Sequence, residues 1–179
     1  VRILLEAAEP APPTYPRRQT VLATARPVYY DFDLFNQPGQ APELDDRLLA
    51  ELAYTVFDTE TTGLDIREGD EMVALGAVRI VIGRLLESEI FEQLVKPECI
   101  IRQDSIRIHG IQPEMLEGQP DIRQVLDLFH RFVEGTILVA HNAAFDMRLL
   151  QLQEKRTGIR FGNPELDTML LSAVVHPAH

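Results

Sequence analysis

Apolar and polar positions alternate along the chain in a pattern that predicts strands first and helices later. Apolar, β-branched runs predict strands at 54–57, 71–81 and 87–95, with Thr62 and Gly63 ending the first in a turn and Gly83 forming a hairpin between the other two. A nearly all-apolar run at 136–140 predicts a buried fourth strand. We therefore expect a sheet with its antiparallel part at the beginning of the domain.

Helical spacing dominates the second half. Short helical turns are predicted at 105–109 and 113–117, and longer helices at 121–133, 142–155 and 166–175. Three strands followed by alternating helices and a strand predict an α/β fold, with a mixed sheet flanked by helices. The predicted helical core residues are Ile122, Val125, Leu126, Phe129, Val133, Phe145, Met147, Leu149, Leu150 and Leu152.

The first 48 residues have a different composition. Seven of the 12 prolines lie within the first 42 residues, which predicts an arm or linker at 1–48 before a globular domain at 49–179. Aromatic and aliphatic residues concentrate at 28–35, and we expect this segment to dock on the globular part or on a partner subunit. The alternative is an apolar but disordered stretch.

Charge and composition limit the classes of function. The formal net charge is −11 and 45% of the residues are hydrophobic, which predicts a folded core and excludes a protein that coats nucleic acid through an overall basic field. Any contact with nucleic acid is therefore local. Cys99 is the only cysteine, so we expect a reducing compartment, the cytoplasm. No apolar run approaches the ~20 residues that span a bilayer, so we expect no membrane contact.

Two carboxylates stand two positions apart at the end of the first predicted strand. Side chains at i and i+2 of a strand share a face, so Asp58 and Glu60 lie side by side while Thr59 points away. A hard divalent cation would relieve their repulsion, and oxygen ligands favour Mg²⁺ or Mn²⁺ over zinc. The alternative is a pair of solvated carboxylates in a turn.

A third carboxylate follows the buried strand at 136–140. Asn142 is placed to cap the next helix, and Asp146 then lies near the carboxyl end of that strand, where α/β sheets place their ligands. If the two strands are neighbours, Asp146 can join Asp58 and Glu60. Alternatively, Asp146 is only a favourable charge near a helix N-terminus.

Taken together, the segments FDTETTG at 57–63 and HNAAFD at 141–146 resemble the proofreading 3′→5′ exonucleases of the DEDD superfamily, of the DNA polymerase III epsilon type. Arg107 to Ile111 and the pair Asp167-Thr168 also resemble segments of that family, and Asp167 is similar to its structural aspartate. The resemblance covers roughly residues 52–175. It implies a ribonuclease H-like fold and hydrolysis of phosphodiester bonds at nucleic-acid 3′ ends.

The resemblance also implies roles for particular residues. Asp58 would bridge two Mg²⁺ or Mn²⁺ ions, Glu60 would hold the ion that activates water, and Asp146 would position the second. The terminal nucleotide of single-stranded DNA or RNA would contact Thr61, Thr62, Gly63, Leu64, His109 and Asn142. For three of these residues a plainer reading is open, since Leu64 can be a core residue, His109 a surface residue, and Asn142 only a helix cap.

One departure from the family pattern concerns its third motif, a His followed five positions later by an Asp. Only 12 residues follow Asp167, and neither His176 nor His179 has an Asp behind it. We therefore expect the domain to be incomplete at its C-terminus, inactive or weak on its own, prone to self-association, and associated with other domains or a polymerase. A non-catalytic nucleic-acid or nucleotide binding module and an exoribonuclease are the alternatives.

Overall fold

Five strands form one mixed sheet in the part of the chain that the computed structural model describes, residue 44 and residues 47–175. Their order across the sheet is β3-β2-β1-β4-β5. β1 pairs antiparallel with β2, and β2 antiparallel with β3, whereas β4 is parallel to both β1 and β5. The strands are β1 (Ala53–Thr61), β2 (Met72–Val81), β3 (Arg84–Leu94), β4 (Ile137–Ala140) and β5 (Glu165–Asp167).

The predicted α/β fold with a mixed sheet is confirmed, and two strands differ from their prediction. β1 is longer than predicted and runs to Thr61, so Asp58 and Glu60 lie inside it. β5 is a three-residue strand in a region predicted to be helical. Its strand conformation is fixed by parallel pairing with β4, from Leu138 opposite Glu165 to Ala140 opposite Asp167, which local periodicity does not encode.

Within the described residues, four helices flank the sheet: α1 (Gln103–His109), α2 (Ile122–Phe132), α3 (Ala143–Thr157) and α4 (Thr168–Val175). Short 3-10 helices lie at Leu49–Glu51 and Pro113–Leu116. α2 has its N-cap at Asp121 as predicted, and the Asp121 side chain accepts a hydrogen bond of 2.9 Å from the Gln124 N–H. α4 begins two residues later than predicted because Leu166 belongs to β5.

The main core lies between the sheet and the helices α2 and α3. All five predicted α2 residues are buried, and Phe129 packs against Phe57 of β1 with ring centroids 5.6 Å apart. Leu152 is 39% exposed, so its prediction as a core residue was wrong. A smaller core joins α1 to β2 and consists of Val73, Ile101, Ile106, Ile111 and Leu116.

Two predictions concern the ends of the chain and the membrane. The docking segment at 28–35 and most of the arm at 1–48 lie outside the described residues. Among the residues that are described, no helix combines the length and the apolar character needed to cross a membrane.

Candidate active site

The accessible carboxylates of the candidate site lie on the central strand. Along β1, Thr55, Phe57, Thr59 and Thr61 are buried, whereas Asp58 is exposed and Glu60 is half-buried. This alternation puts Asp58 and Glu60 on the face of the sheet opposite α2 and α3. Two neighbouring oxygen donors on an accessible face fit a hard divalent cation in their chemistry.

Asp146 approaches the same strand from the other face. It lies in the first turn of α3, its side chain is fully buried, and the Thr59 hydroxyl donates to its Oδ1 over 2.6 Å. The parallel pairing of β1 with β4 makes the two strands neighbours, which is the condition for Asp146 to join Asp58 and Glu60. Yet no three His, Cys, Asp or Glu residues form a metal-binding group within the described part of the chain. The role of Asp146 as a metal ligand therefore stays a prediction.

The helix that carries Asp146 is capped differently from the prediction. Asn142 has a left-handed backbone (φ 61°, ψ 54°), and its side chain makes no capping hydrogen bond. Its buried Oδ1 accepts no hydrogen bond from the described residues. The prediction that Asn142 caps α3 was wrong because a more distant residue satisfies the first amides of the helix.

That residue is Asp167. Its carboxylate accepts hydrogen bonds from the N–H groups of Asn142 (3.1 Å) and Ala143 (2.9 Å) at the start of α3. The same carboxylate accepts from Met169 (2.8 Å) and Leu170 (3.4 Å) at the start of α4. Asp167 thus caps two helices at once, in agreement with the structural role that its resemblance implied.

The segment after Glu60 is buried at residues 61–63 and reaches the surface at Leu64. The Thr61 hydroxyl donates to the Gly63 carbonyl over 2.6 Å. The Thr62 hydroxyl donates to Asp70 over 3.1 Å and accepts from the Glu71 N–H over 2.9 Å. Thr61, Thr62 and Gly63 are buried, and Leu64 is 37% exposed. In this segment Leu64 therefore has the side chain best placed to touch a ligand.

His109 joins α1 to the end of β1. The Ile111 N–H donates to His109 Nδ1 over 3.0 Å, so the ring is the tautomer that carries its proton on Nε2. Nε2 then donates to the Thr61 carbonyl over 3.3 Å. Burial lowers the pKa of His109, and the bond to Thr61 offsets part of that effect. His109 thus supports the segment carrying Leu64.

Sequence reasoning missed Asp70, which lies between the two motifs. Its side chain is only 5% exposed and forms an ion pair with Arg102 at 3.1 Å. An acidic residue in a polar turn gives no local signal of burial. Only the tertiary contacts distinguish Asp70 from its exposed neighbour Glu68.

The sequence and the fold both match one family of nucleases. The family model described as exonuclease, of the RNase T type, matches residues 55–179. The chain belongs to this exonuclease family. Exonucleases of the family generally use divalent metal ions. The predicted resemblance to DEDD-type exonucleases is confirmed.

Relatives include proteins named for DNA polymerase III. The chain is 48% identical over 153 residues to a DNA polymerase III subunit epsilon-like protein of Rhodobacter capsulatus, covering 86% of this chain and 22% of the relative. It is 40% identical over 129 residues to the PolC-type DNA polymerase III of Thermotoga maritima, covering 72% of this chain and 9% of that protein. The chain thus spans about a fifth or less of the length of these relatives.

Solved exonucleases share the fold. Exonuclease X, in complex with 5′ overhanging duplex DNA, superposes with a TM-score of 0.57 at 26% identity, over 70% of this chain and 65% of that one. Exonuclease I of Methylocaldum szegediense gives a TM-score of 0.60 at 20% identity, over 71% and 30% of the two chains, a likeness of fold alone. The predicted ribonuclease H-like fold is confirmed.

Proposed function

We propose that this exonuclease domain hydrolyses phosphodiester bonds at the 3′ ends of single-stranded DNA with Mg²⁺ or Mn²⁺. The observation that carries the proposal is the pair Asp58 and Glu60 on the accessible face of β1, directly before the segment that presents Leu64. Membership of the exonuclease family supports it. DNA is preferred over RNA because the relatives are named for DNA polymerase III.

In this proposal each residue has a limited task. Asp58 and Glu60 hold the cation, with Asp146 as the predicted third ligand. When bound, the cation supplies charge stabilisation to the phosphoryl oxygens and lowers the pKa of water. Leu64 packs against the terminal base and His109 lines the same pocket, with Thr61, Thr62 and Gly63 supporting Leu64 from behind. Asn142 contributes its buried side-chain oxygen to the nucleotide site near the start of α3.

The tautomer of His109 excludes one role for this residue. Nδ1 accepts from a backbone amide and Nε2–H donates to a backbone carbonyl, so neither nitrogen offers a lone pair to an attacking water. We therefore place His109 in the wall of the nucleotide site and not in proton transfer. The general base that the family's third motif supplies is not among the residues assigned here, so we expect the chain to be weak or inactive on its own.

The size of its relatives supports a proposal about the context of the domain. Because the chain covers 9% of the Thermotoga PolC protein, we propose that it works beside a polymerase, in one polypeptide or as a partner, and removes mispaired 3′ ends. We also propose a cytoplasmic location. A further part of the proposal is self-association through exposed apolar residues such as Val174 and Val175.

The test uses the full-length protein and measures release of nucleotides from 3′-labelled and 5′-labelled single-stranded DNA in Mn²⁺. Asp58→Asn and Glu60→Gln should each lower the rate about a thousandfold, because loss of one ligand removes several kcal/mol of transition-state stabilisation. Glu87→Gln on β3 is the matched control, since Glu87 is an exposed carboxylate outside the site. Retention of a tenth of the activity in either site variant would refute the assigned roles.

Two further measurements test metal binding and the choice between DNA and RNA as substrate. Calorimetry on the wild-type chain should show Mg²⁺ affinity in roughly the millimolar range, lost in the double variant of Asp58 and Glu60, because few ligands converge. Affinity at or below about a micromolar would mean that further groups complete the site. Faster cleavage of RNA than of DNA would identify an exoribonuclease, and binding of 3′ ends without release of nucleotides would identify a non-catalytic module.

A further inference from the structure

A buried carboxylate closes the loop between β1 and β2. Asp70 Oδ1 accepts from the Thr62 hydroxyl over 3.1 Å, and Oδ2 accepts from the Asp65 N–H over 2.8 Å. The Asp70 N–H in turn donates to the Asp65 carbonyl over 3.2 Å. One side chain therefore ties residues 62 and 65 at the start of the loop to residue 70 near its end.

Gly63 has no room for a side chain because the Asp70 carboxylate lies against it. A Cβ atom built on Gly63 would lie 2.6 Å from Cγ of Asp70, closer than real Cβ atoms approach other heavy atoms. The backbone of Gly63 therefore lies directly against the Asp70 side chain. Because Gly63 precedes Leu64, the position of Asp70 sets where the exposed Leu64 side chain stands.

Asp70 also joins this loop to the helix that carries His109. Arg102, the residue before α1, forms an ion pair with Asp70 at 3.1 Å, and its N–H donates to the Thr62 carbonyl over 2.9 Å. The Arg102 side chain is 57% exposed, whereas that of Asp70 is 5% exposed. The carboxylate is thus at the centre of the contact between the loop and α1.

We propose that Asp70 is a positioning residue for nucleotide binding, which fixes Leu64 and His109 as the two walls that receive the terminal base. This inference rests on the proposed function, since it assigns Asp70 to the same site. Asp70 itself touches no substrate. It acts through the conformation of residues 62–65 and through Arg102, and a misplaced wall weakens binding of the base without altering Asp58 or Glu60.

Asp70→Asn is the informative variant because it keeps the shape of the side chain. The amide has one acceptor oxygen, so it can accept either from the Thr62 hydroxyl or from the Asp65 N–H and the Arg102 guanidinium but not from both sides, and it lacks the charge that pairs with Arg102. Glu68→Gln is the matched control. It removes one negative charge from the same loop, at an exposed side chain outside this network.

The first measurement separates a positioning role from a merely structural one. The KM of the full-length protein and of its two variants is determined for single-stranded DNA that ends in a normal 3′ nucleotide and for the same strand with an abasic 3′ end. We expect Asp70→Asn to raise KM about tenfold on the normal end with kcat nearly unchanged, and to have little effect on the abasic end. Glu68→Gln should match the wild type on both. An equal effect of Asp70→Asn on the two ends would overturn the proposal.

The second measurement does not depend on nuclease activity. Hydrogen exchange of the Asp65 and Glu71 amides should be faster in Asp70→Asn than in Glu68→Gln, because both amides lie in the network around this carboxylate. Equal exchange in the two variants would show that Asp70 does not order the loop. If the wild type neither binds nor cleaves 3′ ends, the proposed function fails, and the exchange data still decide whether Asp70 positions the loop.

Discussion

Asp167→Ala should destabilise the domain more than the loss of an ordinary helix cap. The Asp167 carboxylate accepts from four backbone N–H groups, two at the start of α3 and two at the start of α4. Replacing one capping side chain by Ala costs typically ~1 kcal/mol, in a range of about 0.5 to 2. Because this carboxylate caps two helices, we expect a loss of about 2 kcal/mol in the free energy of unfolding.

Asp121→Ala supplies the reference within the same molecule. Asp121 caps α2 alone, through the single bond from the Gln124 N–H. Its loss should cost about 1 kcal/mol. Urea unfolding of the wild type and both variants gives the two losses in the free energy of unfolding directly. Asp167→Asn keeps one acceptor oxygen, so its loss should lie between those of Asp121→Ala and Asp167→Ala. If Asp167→Ala costs no more than Asp121→Ala, the two-helix cap does not contribute as argued.

The same substitution should also affect the site at a distance. The Asn142 N–H is held by Asp167 while Asn142 adopts its left-handed backbone, at the entry to the helix that buries Asp146. Without the carboxylate the first turn of α3 loses two hydrogen-bond acceptors. We therefore expect lower nuclease activity in Asp167→Ala even at temperatures where the domain stays folded, and unchanged specific activity in Asp121→Ala.

Three other predictions concern the loop, His109 and Thr59. Gly63→Ala should cost about 1 to 3 kcal/mol because its Cβ would overlap the Asp70 carboxylate, and the double variant with Asp70→Ala should lose less than the sum of the two single losses in thermal unfolding. Burial lowers the pKa of His109 in the folded protein below the ordinary value of 6.5, so at a pH between the folded and the ordinary pKa the unfolded chain binds more protons. The stability that the neutral His109 contributes is therefore complete above the ordinary pKa and is lost as the pH falls through the folded pKa. His109→Gln should flatten that dependence in urea unfolding between about pH 5 and 8, and an unchanged slope would contradict it. Thr59→Val should cost about 1.5 to 3 kcal/mol by removing the donor to the buried Asp146 carboxylate, whereas Thr59→Ser, which keeps the hydroxyl, should cost clearly less in the same assay.

The sequence alone determined the elements whose signal is local. Residues 122–133, which form α2 and its C-cap, show helical spacing of apolar positions, and all five predicted core residues are buried in the structure. The apolar run at 136–140 became the buried strand β4, and the i, i+2 spacing of Asp58 and Glu60 placed both on one face of β1. These features were predictable because burial against a single sheet imposes a period on neighbouring residues.

Only the tertiary structure decided the features that depend on distant partners. β5 has three residues and is a strand because β4 pairs with it. The start of α3 is capped by Asp167, 25 residues beyond Asn142, and the loop after β1 is closed by the buried Asp70. A polar side chain in a turn or at a helix end has the same local pattern whether it is solvated or fully hydrogen-bonded. Its role is fixed by which backbone amides and charges the completed fold brings within about 3 Å of it, and no sequence period records that distance.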